Sequence, residues 1–145
     1  MRIYFSGSIT GGREQAHIYH HIIEHLQKYG EVLTEFVADN TYTQLGEQQL
    51  APEAIYRRDI DFIDRCQVVV AEVTVPSFGV GVEVARASMQ GKPVLALYQP
   101  AEGRRLSAMI AGNPKVTVAE YRTLEEAKAR IDHFFDGIAS RNLTP

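Results

Sequence analysis

Two segments rich in glycine and serine, Ser6–Gly12 and Thr74–Gly81, each stand between an apolar run and a helical pattern. A loop that opens into a helix offers backbone N–H groups and the positive end of the helix dipole to an anion. The sequence therefore predicts a small anionic molecule as the ligand of these two loops.

Glu83 is the carboxylate whose position most favours chemistry. It closely follows the second loop, near Ser77, Gly79 and Gly81, in what the pattern predicts to be the first turn of a helix. Acids occur in first helical turns for stability alone, because the dipole favours them by about 0.3–1 kcal/mol. The same field would keep Glu83 ionised, and the glycines would let a substrate come close. Glu83 is therefore either a nucleophile or a plain first-turn acid.

A second carboxylate, Asp59, is a weaker candidate for catalysis. It belongs to the charged cluster Arg57–Asp61, and such clusters are usually solvated helix faces. Asp59 nevertheless follows Tyr56 by three residues and precedes Ile63 by four, so it borders the apolar stripe of its predicted helix.

Other reactive side chains are less promising. His17, His21 and His25 recur at every fourth position of the first predicted helix. Eight residues span ~12 Å of helix, so one metal ion with bonds of ~2 Å could bind only two of them, and a solvated flank is the preferred interpretation. The single cysteine, Cys66, stands beside a buried strand and is interpreted as a small core side chain. We expect no metal and no cofactor.

These residues lie on a chain in which strands and helices alternate. The predicted strands are Arg2–Phe5, Glu31–Phe36, Val68–Val73, Pro93–Tyr98 and Val116–Val118. The predicted helices begin at Arg13, Pro52, Val82, Leu106 and Leu124, with Gly30 as the expected C-cap of the first. This alternation predicts an α/β fold, a five-stranded parallel sheet of flavodoxin-like order 2-1-3-4-5 with helices on both faces. Ligands of such sheets bind between the first and third strands, where the two loops lie.

Composition limits the class of protein. A chain of 145 residues is the size of one domain, which we expect to span residues 1–145. A net charge of −3 and a pI near 5.9 argue against a nucleic-acid polymer bound on a broad basic face. The longest apolar run, Val94–Tyr98, is far shorter than the ~20 residues of a membrane helix. With no signal-peptide pattern after Met1, we expect a cytoplasmic protein without a membrane partner.

Several segments match a known family. They are Ile3–Ile9 with Gly11–Glu14, Val32–Glu35, Val68–Thr74, Pro76–Ser77, Gly79–Glu83 and Leu106–Ile110. Through them the chain resembles the 2'-deoxynucleoside 5'-phosphate N-hydrolases, within the nucleoside 2-deoxyribosyltransferase superfamily. The resemblance implies hydrolysis of the N-glycosidic bond of a deoxynucleoside monophosphate to the free base and 2-deoxyribose 5-phosphate. It also implies a covalent ester between the sugar and a glutamate.

The resemblance implies roles for individual residues. Glu83 matches the nucleophile, Asp59 a second acid that positions the sugar and helps proton transfer, and Tyr4 a tyrosine that orients Glu83. The implied substrate contacts are Gly7, Ser8, Ile9, Thr10, Ser77 and Ser107 around the phosphate, Phe36 and Met109 at the base, and Gly79 where the loop lets the substrate approach. Ser107 and Met109 are implied to come from the neighbouring subunit of a homodimer.

Two positions depart from the pattern of mammalian-type relatives. Thr10 stands where those relatives carry a basic residue, which weakens the expected grip on the phosphate. Phe36 stands where they carry a histidine, which makes that wall of the base pocket apolar and flat.

Three alternative functions stay open from the sequence: a nucleoside 2-deoxyribosyltransferase, a CMP-type ribonucleotide N-glycosidase, and a non-catalytic nucleotide-binding module. Ser8 and Ser77 favour a phosphorylated ligand over a plain nucleoside. The presence of Glu83 together with Asp59 and Tyr4 speaks against a module that only binds.

Overall fold

Five parallel strands form one sheet in the computed structural model, which describes residues 1–9, 14–38 and 50–142. The strands are β1 (Arg2–Gly7), β2 (Glu31–Val32), β3 (Val68–Glu72), β4 (Val94–Tyr98) and β5 (Val116–Glu120). They pair in the order β2-β1-β3-β4-β5, which confirms the predicted topology. The chain turns to opposite sides of β1 for β2 and β3, so the strand order reverses between β1 and β3.

The helices cover both faces of the sheet, as predicted. They are α1 (Ala16–Leu26), α2 (Pro52–Arg65), α3 (Phe78–Met89), α4 (Ala108–Ala111) and α5 (Leu124–Asn142), and a 3-10 turn spans Glu35–Ala38. Helices α1 and α5 pack on the face that holds Val68 and Val70, whereas α2 and α3 pack on the face that holds Val69 and Ala71. Because strands β3 and β4 are buried on both faces, their sequences are nearly continuous apolar runs.

The second strand is shorter than predicted, and Phe36 lies on the 3-10 turn instead of in the strand. The cause is the side chain of Thr34. Its hydroxyl accepts from the N–H of Phe5 at 2.8 Å and donates to the carbonyl of Phe5 at 2.7 Å. A side chain therefore takes over the hydrogen bonds that the next residues of β2 would have made, and the chain turns away from the sheet edge.

Gly30 is not the C-cap of α1, because that helix ends at Leu26 and is followed by Gln27. Glycine is required at position 30 because the backbone of Met1 comes too close to leave room for a side chain. A Cβ at Gly30 would overlap the carbonyl oxygen of Met1, which accepts the N–H of Glu31 at 2.9 Å.

The prediction that the three histidines of α1 lie on a solvated flank is wrong for one of them. His17 and His21 are exposed, but His25 is buried with its Nε2 2.6 Å from Oδ1 of Asp132 on α5. The flank turns inward at that point because α5 packs against the end of α1, and the Tyr29 hydroxyl donates to the same carboxylate.

Cys66 is a buried core thiol, as predicted. It donates to the carbonyl of Ile63 at 3.2 Å, and burial raises its pKa. Nearby, the ammonium of Lys92 donates to the carbonyls of Asp64 and Cys66 at 2.9 Å each, and also to that of Ile63, at the end of α2.

In the described part of the chain, no helix is both long and apolar enough to cross a membrane.

Candidate active site

Helix α3 begins earlier than predicted and moves Glu83 away from its first turn. Ser77 is the N-cap, and its hydroxyl accepts the N–H of Val80 at 3.4 Å, so the helix starts at Phe78 instead of Val82. Glu83 consequently lies in the second turn. The dipole effect falls off within the first turn, so the expectation that it keeps Glu83 ionised is wrong.

Two hydroxyl groups of β1 hold the carboxylate of Glu83 instead. The phenol of Tyr4 donates to Oε1 at 2.9 Å, and the hydroxyl of Ser6 donates to Oε2. Tyr4 and Ser6 are two residues apart on one strand, so their side chains point to the same face of the sheet, toward α3. This contact lies at the carboxyl end of β1, where the strand order reverses. Ser6 was not identified as a site residue from the sequence, although its two-residue spacing from Tyr4 was a usable signal.

The electrostatic setting brings Glu83 close to half-ionised at neutral pH. Burial is the main cause, and it raises the pKa of Glu83 to about 7 against the hydrogen bonds from Ser6 and Tyr4, which lower it. The negative charge of Asp59 raises this pKa further, and the charge of Arg58 lowers it. Burial and the nearby carboxylates also raise the pKa of the Tyr4 phenol far above its ordinary value, which keeps the phenol a donor. A perturbed acid in a crevice marks a candidate catalytic group.

Asp59 is not on an open helix face. Its side chain is only 20% exposed, and the Nε of Arg58 donates to its Oδ1 at 2.9 Å. The guanidinium carbon of Arg58 also lies 4.2 Å from the centroid of the Phe36 ring. Arg58 thus links two predicted site residues, Asp59 and Phe36. Sequence reasoning missed this link because adjacent residues on a helix normally point in different directions.

The first loop leaves β1 through tightly packed backbone. A Cβ at Gly7 would lie 2.7–2.8 Å from the buried ring of Tyr19, whose hydroxyl donates to the Ser8 carbonyl at 3.2 Å. The Ser8 side chain is buried, and its Oγ has no hydrogen-bond partner among the described residues. Ile9 packs partly buried against the core on the α1 side. Thr10 and the Gly11–Arg13 part of the matched motif lie outside the described residues.

A further buried carboxylate, Glu72, lies at the end of β3. Its Oε1 accepts from the hydroxyls of Thr74 and Tyr121, the latter at 3.1 Å. Its Oε2 is the second buried oxygen without a partner in the described part of the chain. Burial raises the pKa of Glu72 to about 7. Glu72 points to the α1 and α5 face of the sheet, away from Glu83, so the two carboxyls are separate centres.

Ser77, Ser107 and Met109 share one groove, and the carboxylate cluster of Glu83 is not part of its lining. They line a largely apolar groove with a volume of about 910 Å³ between α3 and α4, and neither Glu83, Tyr4 nor Asp59 lines it. The Ser107 hydroxyl caps α4 and accepts the N–H of Met109 at 3.3 Å, while Met109 itself is 83% exposed. Gly79 leaves room for substrate at the base of α3, since a Cβ there would meet only the Ser77 Oγ at 3.9 Å.

The groove carries unusually exposed apolar side chains. Phe78 is 99% exposed and Val82 is 56% exposed, and both line it. Exposed apolar patches of this kind mark interaction surfaces.

Within the ranges that the structure describes, no three histidine, cysteine or acidic side chains converge to hold a metal ion.

Comparison with known proteins relates the chain to one family. The sequence model of the nucleoside 2-deoxyribosyltransferase family matches residues 3–128. The 5-hydroxymethyl-dUMP N-hydrolase of Rattus norvegicus is 44% identical over 138 residues, covering 92% of this chain and 84% of the relative. That of Danio rerio is 42% identical over 139 residues, covering 94% and 96%. The solved CMP N-glycosidase of Clostridium botulinum shares the fold, with a TM-score of 0.63 at 21% identity over 92% of this chain and 99% of that one.

Proposed function

Because this chain belongs to the nucleoside 2-deoxyribosyltransferase family, we propose that it hydrolyses the N-glycosidic bond of 2'-deoxynucleoside 5'-monophosphates. The products are the free base and 2-deoxyribose 5-phosphate. The observation that carries the proposal is the carboxylate of Glu83, held by Tyr4 and Ser6 at the reversal point of the sheet. The names of the rat and zebrafish relatives, which are N-hydrolases of a deoxynucleoside monophosphate, support it.

We assign Glu83 as the nucleophile. Its carboxylate attacks C1' of the deoxyribose, the bond from C1' to the base nitrogen breaks, and the base leaves with the electron pair and takes up a proton from solvent. Water then attacks C1' of the sugar ester, which releases 2-deoxyribose 5-phosphate and restores the carboxylate. The Arg58 guanidinium donates to the Asp59 carboxyl, so Asp59 suits the role of positioning the sugar and accepting the proton of that water, which it then releases to solvent.

Neutral donors are proposed to bind the 5'-phosphate. The buried Ser8 hydroxyl lacks a hydrogen-bond partner among the described residues, which supports it as a phosphate contact. The N–H groups of Gly7 and Ile9 on the same loop, and Ser77 at the start of α3, are the other proposed contacts. The wall formed by Phe36 beneath the Arg58 guanidinium is proposed to contact the base. Nucleotides as substrates also fit the expected cytoplasmic location.

We further propose that a second copy of this chain covers the groove between α3 and α4 and lends Ser107 and Met109 to the site. A fully exposed phenylalanine, Phe78, stands beside an apolar groove of about 910 Å³. A protruding side chain and a receiving groove on one surface are what a twofold, self-complementary interface requires. In a single chain Ser107 and Met109 line this groove and Glu83 does not, so we assign their proposed contact with substrate to the site of the partner.

One assay tests the reaction. The protein is incubated with each of the eight common nucleoside monophosphates, with and without an added free base, and the products are separated by chromatography. We expect free base and 2-deoxyribose 5-phosphate from the deoxynucleotides, and no turnover by Glu83→Gln. Glu102→Gln, on an exposed loop, is the matched control and should retain activity. A new nucleotide formed only with added base would indicate a transferase. Release of the free base from CMP would indicate a ribonucleotide glycosidase. Binding without turnover would indicate a nucleotide-binding module.

A second assay tests the shared site. Glu83→Ala and Ser107→Asp should each be inactive, the latter because its charge faces the substrate phosphate. Random exchange of subunits makes half of the dimers mixed, and one of the two sites in each mixed dimer is intact. The mixture should therefore regain about a quarter of wild-type activity. Phe78→Asp should give monomers, whereas Met89→Asp, at an exposed apolar residue outside the groove, should not. A mixture that stays inactive after proven exchange would refute the shared site.

A further inference from the structure

We propose that Ser6 is a positioning residue for the nucleophile, forming with Tyr4 a clamp that holds the two oxygens of the Glu83 carboxylate. This inference rests on the proposed function, in which Glu83 attacks the sugar. The family comparison and the sequence analysis assign no role to Ser6, which stands out only through its contact in the folded protein.

The clamp has a rigid base. Ser6 is 1% exposed and lies on β1, which is paired with β2 on one side and with β3 on the other. In the register with β3, Tyr4 is opposite Val69 and Ser6 is opposite Ala71. Both donors therefore come from one buried strand in the middle of the sheet. A carboxylate bound at both oxygens cannot rotate about its last bond without breaking at least one of the two hydrogen bonds.

The clamp leaves the nucleophile able to react. Each oxygen of an ionised carboxylate has about two lone-pair directions, and each clamp donor uses one of them. A lone pair therefore remains on each oxygen, in a direction set by the two hydroxyls. The Ser6 hydroxyl therefore does more than fill space. Alanine would fill nearly the same space, but it would not fix the plane of the Glu83 carboxylate.

The hydroxyl of Ser6 also offsets the forces that favour protonation of Glu83. Among the described residues, the charged and titratable groups that act on Glu83 are Tyr4 on β1 and Arg58 and Asp59 on α2. Burial and Asp59 oppose ionisation, whereas Arg58 and the two hydroxyls favour it. Removal of the Ser6 hydroxyl should therefore move the titration of Glu83 upward by about one pH unit, since a hydrogen bond to the charged form stabilises that form.

The test compares Ser6→Ala with two matched variants. Ser6→Thr keeps the hydroxyl, and Ser88→Ala removes another buried hydroxyl, one that donates to the Ala85 carbonyl within α3. Carbon-13 NMR of protein labelled at the glutamate carboxyls gives the titration midpoint of Glu83 without any substrate, with Glu83→Gln to assign its signal. The pH profile of kcat/KM is recorded for the same proteins, and urea unfolding verifies that each is folded.

We expect Ser6→Ala to raise the Glu83 midpoint by about one pH unit and to shift the acid limb of kcat/KM equally, so that it loses more activity at pH 6 than at pH 9. Ser6→Thr should restore both, and Ser88→Ala should change neither. A uniform loss of activity with an unmoved Glu83 midpoint would overturn the proposal and leave Ser6 a packing residue. A moved midpoint in a protein that cleaves no nucleotide would support the clamp and reject the proposed function.

Discussion

Replacement of Glu83 by glutamine should stabilise the protein at pH 8 while abolishing turnover. Burial holds the pKa of Glu83 at about 7 in the folded protein, against an ordinary value of 4.5. Between these values the folded protein keeps a proton that the unfolded chain releases. The free energy of unfolding therefore falls as the pH rises from about 4.5 to 7, and stays reduced above 7. The full difference corresponds to about 3 kcal/mol, and partial exposure of Glu83 reduces the expected gain to about 1–2 kcal/mol.

Glutamine removes this dependence because it never ionises. Its amide has nearly the size of the carboxyl and can still accept a hydrogen bond from one of the two hydroxyls. The advantage of Glu83→Gln over the wild type should therefore be small at pH 5 and grow by about 1–2 kcal/mol by pH 8.

Urea unfolding at pH 5 and pH 8 measures this effect for the wild type, Glu83→Gln and Glu102→Gln. The control replaces an exposed glutamate, so its unfolding free energy should differ little from that of the wild type at either pH. A Glu83→Gln protein that is less stable than the wild type at pH 8, or a difference that does not change with pH, would refute the reasoning. A difference that does not change with pH would mean that folding does not oppose ionisation of Glu83, because a constant loss of hydrogen bonding cancels between the two pH values.

Three more outcomes follow from the same structure. The kcat/KM of the wild type should rise about tenfold from pH 6 to pH 8 as Glu83 ionises, and a flat profile would argue against it as the nucleophile. Lys92→Met should lower the free energy of unfolding by about 2 kcal/mol, because carbonyls at the end of α2 lose their donor, whereas the exposed Lys115→Met should change it little. Gly30→Ala should destabilise the protein through backbone overlap, while Gly137→Ala, with open space inside α5, should stabilise it by about 0.5–1 kcal/mol, both measured by thermal unfolding.

Much of the architecture could be predicted from the sequence because it depends on local patterns. Alternating apolar runs and amphipathic segments specified the parallel sheet and its strand order, and the order in turn specified the crevice between β1 and β3. Pro52 marked the start of α2, since proline suits a first helical turn. Glu83 could be singled out because it closely follows serine and glycine residues after a buried strand, although Gly79 and Gly81 lie inside α3 and not in a loop.

Side-chain hydrogen bonds to the backbone, one tertiary and one local, decided the ends of two elements that the sequence pattern placed wrongly. The hydroxyl of Thr34 ends β2 and puts Phe36 on a 3-10 turn, and the hydroxyl of Ser77 starts α3 early enough to move Glu83 beyond the first turn. Both are side-chain-to-backbone hydrogen bonds that compete with the regular pattern, and propensity does not encode which bond wins.

The chemistry of the candidate site depends on packing in the same way. The sequence names Glu83 as an acid, but its pKa near 7 arises from burial and from the groups that folding brings around it. Ser6 acts on Glu83 only once β1 and α3 meet, whereas Arg58 and Asp59 are neighbours on α2. The sequence thus determined which residue types are available at the crevice. The tertiary structure determined their protonation and orientation, because desolvation and hydrogen-bond geometry are properties of the packed protein.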